Sequence, residues 1–228
     1  MSALDAVRAR QSWSKVGDTA PGREELVTLV GAAGRVADHS SLRPWRLIEL
    51  RGDDRLVLGA ALAEADGEDK PSTKPLRASL LIAIVASYRK SDKVPRWEQE
   101  AVASGVAHTL SLLLDEAGWG VIWRTGGLTR SEPVARAHGL SADEELLGWL
   151  YVGGKPEGRE PGHRKPVDAE SLLTPLPRVD AGDGSPDGAQ DRHEADREKK
   201  RAEKERKREK KRMKKERKRA KKAQKRQG

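Results

Sequence analysis

"SLLIAIVASY" (Ser79–Tyr88) holds seven consecutive apolar residues, Leu80 to Ala86, with no polar residue at alternate positions. A strand with one wet face alternates apolar and polar residues. A continuous run bounded by polar residues instead predicts a strand covered on both faces. It is also far short of the ~20 residues that a membrane-crossing helix needs. The stretch therefore predicts the buried middle of a sheet, and the rest of the chain must supply layers on both sides. Working outward, "RLIEL" (46–50), "WGVIW" (119–123) and "LLGWLYVGG" (146–154) predict further strands. Helical spacing appears at 3–10 and at 23–36, where Leu26, Leu29, Val30 and Ala33 share one face. Three more helices are predicted: from Asp53-Asp54 to about Ala65, from after Pro95 to Ala117, and from Ser131 to His138 with Ser131 as its cap. Helices alternating with strands argue for an α/β or α+β body, with helices covering a sheet.

Charge is distributed unevenly along the 228 residues. Asp183–Gly228 contains 21 Lys+Arg against 10 Asp+Glu, which leaves 24 basic and 26 acidic residues in 1–182. All of the net charge of +9 therefore comes from the end of the chain, and the body gives no electrostatic reason to bind nucleic acid. The terminal stretch "REKKRAEKERKREKKRMKKERKRAKKAQKRQG" (197–228) has too few apolar residues for a core or a coiled-coil seam. It predicts a disordered or solvated-helical tail, joined by an acidic flexible linker at 179–196. With no aromatic residue to stack on bases, its contacts with nucleic acid, an anionic membrane or an acidic protein would be purely electrostatic. The chain has no cysteine, which excludes disulfides, thiolate metal sites and cysteine nucleophiles. The N-terminal "MSALDAVRARQSW" has no apolar signal run, so a cytoplasmic location is expected.

Three stretches collect groups suited to ligand chemistry. In "RARQSWS", Arg10, Gln11 and Ser12 follow the first helix; they suit an oxyanion, although a cation complementing the helix dipole is the simpler reading. In "GRVADHSSLRPWR", Arg35, Asp38, His39, Arg43 and Arg46 crowd a loop fixed by Pro44-Trp45, which leans towards an anion or aromatic-ligand site. In "GWGVIWRTGG", glycines flank Trp123, Arg124 and Thr125, and either a flat ligand or a plain buried strand with a glycine turn accounts for them. The dinucleotide fingerprint and the nucleophile elbow are both absent, and the five histidines show no metal-ligand spacing.

Taken in order, "RARQSWSKV", "ADHSSLRPWRLIELRGDDR", "KVPRWEQE", "GVIWRTGGLT" and "LLGWLYVGG" resemble the nitroreductase family of flavin enzymes, and most closely its short, YdjA-like NAD(P)H nitroreductases. The resemblance covers about residues 1–175. It implies an α+β nitroreductase-like fold with a central, mainly antiparallel sheet flanked by helices. It also implies a homodimer with FMN in the interface, and an FMN-binding domain spanning 1–178. Carried over by position, Arg10, Gln11 and Ser12 would hold the phosphate and ribityl side. Arg35 and His39 would reach FMN from the loop after the second helix, and Trp123, Arg124 and Thr125 would form the turn on the flavin. Gln11 stands where the family has Arg. The implied activity is hydride transfer from NAD(P)H through flavin to a small nitro compound, quinone or similar acceptor by a ping-pong mechanism. No side chain then need act as nucleophile or base. Two other classes are compatible with the sequence. One is a nucleic-acid- or ribosome-associated protein acting through its tail, and the other is a protein that binds or degrades flavin without hydride transfer.

Overall fold

The computed structural model describes residues 2–158 and 166–176; the linker at 179–196 and the tail at 197–228 lie outside them. The chain divides into two units, Met1–Arg164 and Lys165–Gly228. In the second unit the described residues form one short helix, α6 (Ala169–Leu172), with the Asp168 side chain accepting from the Ser171 N–H.

The first unit is an α+β body. Its elements run α1 (Ala3–Ala9), α2 (Arg23–Ala33), β1 (Trp45–Arg51), α3 (Asp54–Asp66), β2 (Leu80–Ser87), α4 (Arg96–Glu116), β3 (Trp119–Arg124), α5 (Glu132–Ala137) and β4 (Glu144–Gly154). The strands form one sheet in the order β1-β2-β4-β3, and every pair is antiparallel. The apolar run at 80–86 lies inside β2, an interior strand buried along its whole length. Side chains alternate across a strand, so β2 feeds two cores. Leu80, Ile82, Ile84 and Ala86 pack with Val106, Leu110 and Leu114 of α4 and Leu26 of α2. Leu81, Ala83 and Val85 pack with Leu58 and Leu62 of α3 and Val134 of α5.

Between α1 and α2 the chain is strapped to the β3–β4 end of the sheet. The Trp13 N–H donates to the Val121 carbonyl at 3.0 Å, the Gly17 N–H to Gly154 at 2.8 Å, and the Gly154 N–H to Thr19 at 2.9 Å. Gly153 permits this approach, because a Cβ there would lie 2.5 Å from the Gly17 carbonyl oxygen. The strap carries residues 10–14 alongside β3.

Element ends differ from the sequence expectations in two instructive places. Helix α2 stops at Ala33 rather than continuing to Val36, where a Cβ on the following Gly34 would sit 3.0 Å from the Trp45 ring. Ser131 holds the N-cap position of α5, but its hydroxyl donates back to the Leu128 carbonyl at 2.7 Å. It closes the preceding 3-10 turn (Gly127–Arg130) instead of capping the helix. The buried Gln99 was not singled out as structural, yet it clasps residues 89–94: its amide donates to the Arg89 and Val94 carbonyls and accepts the Arg89 N–H.

Arg46 of β1 meets Glu144 of β4 in a two-pronged contact of 2.6 and 2.8 Å across β2. The contact commits Arg46 to structure rather than to a ligand loop. The guanidinium, aided by donors from Ser141 and Ser87, depresses the Glu144 carboxyl from 4.5 to about 2 against the opposing effect of burial. A depressed carboxylate stabilises the fold above its ordinary pKa and loses that contribution on protonation. Native stability should therefore fall as pH drops from 4.5 towards 2, and Glu144→Gln should flatten that part of the profile. Urea denaturation at stepped pH measures both; identical slopes in the two proteins would contradict the assignment.

Candidate active site

β3 and β4 are paired so that Ile122 stands opposite Tyr151 and Arg124 opposite Trp149. These four side chains project on the sheet face covered by α3 and α5, beside a cavity of about 510 Å³. Its volume falls within the roughly 300–1,000 Å³ of small-molecule and cofactor sites. Three cations line it: Arg124, and Lys74 and Arg77 from the 3-10 turn Lys74–Arg77 that precedes β2. Tyr151 and Trp149 supply aromatic wall, and among the lining residues there is no carboxylate. The field inside therefore favours an anionic, partly flat ligand. The Arg124 guanidinium carbon lies 5.3 Å from the Tyr151 ring centre. Burial raises the Tyr151 phenol above its usual range, opposed by the charges of Arg124 and Arg77.

The turn after β3 is shaped by a bulge in β4. Ile84 pairs with Gly148 and Val85 with Leu146, so Leu147 is the extra residue. Gly148 has φ +130°, and a Cβ there would lie 2.4 Å from the Arg124 carbonyl oxygen and 2.8 Å from Trp123 Nε1. Only glycine lets the two backbones pass this closely. Trp123 points to the other face, where its ring meets His108 of α4 edge-on at 5.0 Å. Among the described residues, Trp123 Nε1 and Arg124 Nε are buried donors without a hydrogen-bond partner. Buried donors in native proteins are almost always paired, so the orphaned Arg124 Nε–H on the cavity face marks a place where an acceptor belongs.

One of the three sequence clusters lines the cavity, and a second lies on the neighbouring strap without lining it. Trp123, Arg124 and Thr125 line the cavity. Arg10, Gln11 and Ser12 follow α1 on the strap, half-buried, buried and exposed respectively. They lead into Trp13, bonded to Val121, and into Ser14, whose carbonyl accepts from Arg124 Nη2 at 3.4 Å. Arg35 and His39 are exposed and do not line the cavity; His39 Nδ1 sits 2.9 Å from Glu98 Oε1 at the start of α4. Sequence reasoning missed Lys74, Arg77, Trp149 and Tyr151. The last two could have been found by pairing alternate residues of "GVIWR" and "GWLYV" across a hairpin-like register. Lys74 and Arg77 lie in a segment with no motif of its own.

The model of the nitroreductase family matches residues 7–154. The chain belongs to the nitroreductase family. It is 36% identical over 161 residues to the Escherichia coli (strain K12) protein named "Putative NAD(P)H nitroreductase YdjA", covering 67% of this chain and 88% of that protein. Among solved structures, the nitroreductase-like family protein from Bacillus cereus superposes with a TM-score of 0.67 at 21% identity, over 77% of this chain and 96% of that one. The FMN- and NADPH-dependent nitroreductase NfnB from a Sphigopyxis strain superposes with a TM-score of 0.61 at 18% identity, over 78% and 100%. The structural matches agree with the family fold: an antiparallel four-stranded sheet between helical layers. In this member of the nitroreductase family, Gly148→Ala should collapse the turn that carries Arg124, because the new methyl must displace backbone. A loss of roughly 2 kcal/mol or more in urea denaturation is expected. A fully stable Gly148→Ala protein would contradict the close approach.

Proposed function

We propose that the chain is an FMN-dependent oxidoreductase that transfers a hydride from NAD(P)H to a small acceptor, such as a nitro compound or quinone, in two half-reactions. The observation that carries this reading is the cavity at the end of β3, with three cations, two aromatic walls and, on Arg124, a buried Nε–H donor without a partner among the described residues. FMN, when bound, supplies the hydride chemistry. The chain's residues bind and polarise. Lys74, Arg77 and Arg124 create a positive field that favours the extra negative charge of a reduced flavin. The buried Arg124 Nε–H, without a partner among the described residues, offers a donor to the ligand. Arg10 and Ser12, carried beside β3 by the strap, are assigned to the phosphate; Gln11 contributes a neutral amide where a second cation would otherwise stand.

Arg35 and His39 do not line this chain's cavity, so their proposed role requires a second copy whose cavity they complete. A homodimer is part of the reading. It is supported by apolar side chains that face solvent in one copy: Leu4 at 57% exposure, Val7 at 55% and Trp97 at 71%. No helix among the described residues is long and apolar enough to cross a membrane, which is compatible with the cytoplasmic location included in this proposal. The domain limits 1–178, 179–196 and 197–228 are retained as its working division.

FMN titration followed by fluorescence quenching tests the site. Arg124→Ala and Arg10→Ala should each weaken FMN binding at least about tenfold, or ~1.4 kcal/mol, while far-ultraviolet circular dichroism stays unchanged. Wild-type affinity in both variants would remove the residues, and with them the site, from the proposal.

A further inference from the structure

Trp149 belongs to the cavity wall, but its orientation is set from behind. Its indole N–H donates to His138 Nε2 at 2.9 Å. On the other side of the imidazole, His138 Nδ1 lies 2.8 Å from the Val134 carbonyl oxygen. A carbonyl only accepts, so Nδ1 carries the proton and Nε2 presents its lone pair. An indole nitrogen only donates, so that lone pair is what it needs. The relay from Trp149 through His138 to Val134 is therefore satisfied by one tautomer of neutral imidazole and by no other state. All three residues are buried, with His138 7% exposed. A purely apolar residue would fill the end of α5 without any requirement on tautomer or charge. The pair instead fixes the rotation of a ring that lines the cavity.

We propose that His138 is a positioning residue of the cavity: as a neutral acceptor it locks the Trp149 indole into the wall, so FMN affinity follows the charge state of His138. This rests on the FMN reading above. Protonation would place an N–H on each side of the 2.9 Å contact, and the indole would have to swing away.

Burial of the imidazole is the main influence holding His138 below its ordinary 6.5, with the Arg46 charge in the same direction and the Val134 carbonyl opposing. The charged groups around it are few. From β1 comes Arg46, whose Nη2 reaches the Gly139 carbonyl at 3.4 Å, and from β4 its partner Glu144. Helix α5 itself carries Glu132 and Arg136, and α3 contributes Glu64, all joined through the Arg136 guanidinium. Each cation is paired with a carboxylate, and none of the carboxylates is bonded to the ring. The relay is intact at pH 6.5 and is lost only as pH falls further, through the lowered pKa of the buried imidazole.

The test uses the full chain labelled with ¹⁵N, in which the six tryptophans give six indole N–H resonances. Trp149→Phe identifies the resonance in question. Between pH 7.5 and the acid limit of the folded protein that resonance should move in the wild type and stay fixed in His138→Gln, whose carbonyl oxygen accepts from the indole but does not titrate. FMN Kd is measured over the same range in both proteins; the FMN phosphate titrates there too, but equally in both. The wild type should lose about tenfold more affinity on acidification than His138→Gln, and His138→Phe should bind about tenfold more weakly than wild type at pH 7.5. A Trp149 resonance indifferent to pH, or wild-type affinity in His138→Phe, overturns the inference. If the wild type binds no FMN at any pH, the FMN reading fails, the link to its affinity fails with it, and the indole resonance alone decides whether His138 holds the wall.

Discussion

The backbone of Arg124 passes so close to Gly148 that no side chain fits between them; a Cβ would lie 2.4 Å from the Arg124 carbonyl oxygen. The rest of the site depends on this contact. It permits the bulge in β4, which offsets Leu147 and keeps Trp149 and Tyr151 on the same face as Arg124. Close to it, Trp123 Nε1 and Arg124 Nε are buried without partners among the described residues. A similar device recurs at Gly153, where a missing Cβ admits Gly17 and thus the strap that carries Arg10 to Ser14 towards β3. Glycines near the two ends of the β3–β4 ladder thus admit two distant stretches of sequence along the same edge of the sheet.

The fold was readable in the sequence where burial is decided by pattern alone. The run Leu80–Ala86 has no wet face, and β2 is indeed covered on both sides by separate helical layers. The four strands and the five longer stretches of helical spacing are present with ends shifted by a few residues. The shifts are local: Trp45 packs against Gly34 just past the end of α2, and the Leu128 carbonyl takes the Ser131 hydroxyl. Legibility fades where a residue's role depends on pairing across the sheet. Nothing local distinguishes Tyr151 from any other strand tyrosine until the register sets it opposite Ile122, next to Arg124. Lys74 and Arg77 read as ordinary surface cations until the turn before β2 folds over the cavity. Arg46 shows the reverse error: it sat in a suggestive loop, and the structure commits it to Glu144.

Charge divides the sequence into a nearly neutral body and a basic end. The body contains nearly equal numbers of acids and bases, yet every charged residue lining the cavity beside β3 is a cation. Local arrangement, rather than net charge, makes that site attractive to an anion. The Lys/Arg-rich end supplies the whole positive excess of the chain.

The central claim is that this cavity holds FMN and presents it for reduction. The visible absorption spectrum of the purified protein, reconstituted with FMN and freed of excess, tests it in one experiment. The account predicts a protein-bound flavin band that bleaches on anaerobic addition of NADPH or NADH and returns when a quinone or nitro compound is added. A protein that retains no flavin, or a bound flavin that neither nucleotide bleaches, would contradict it.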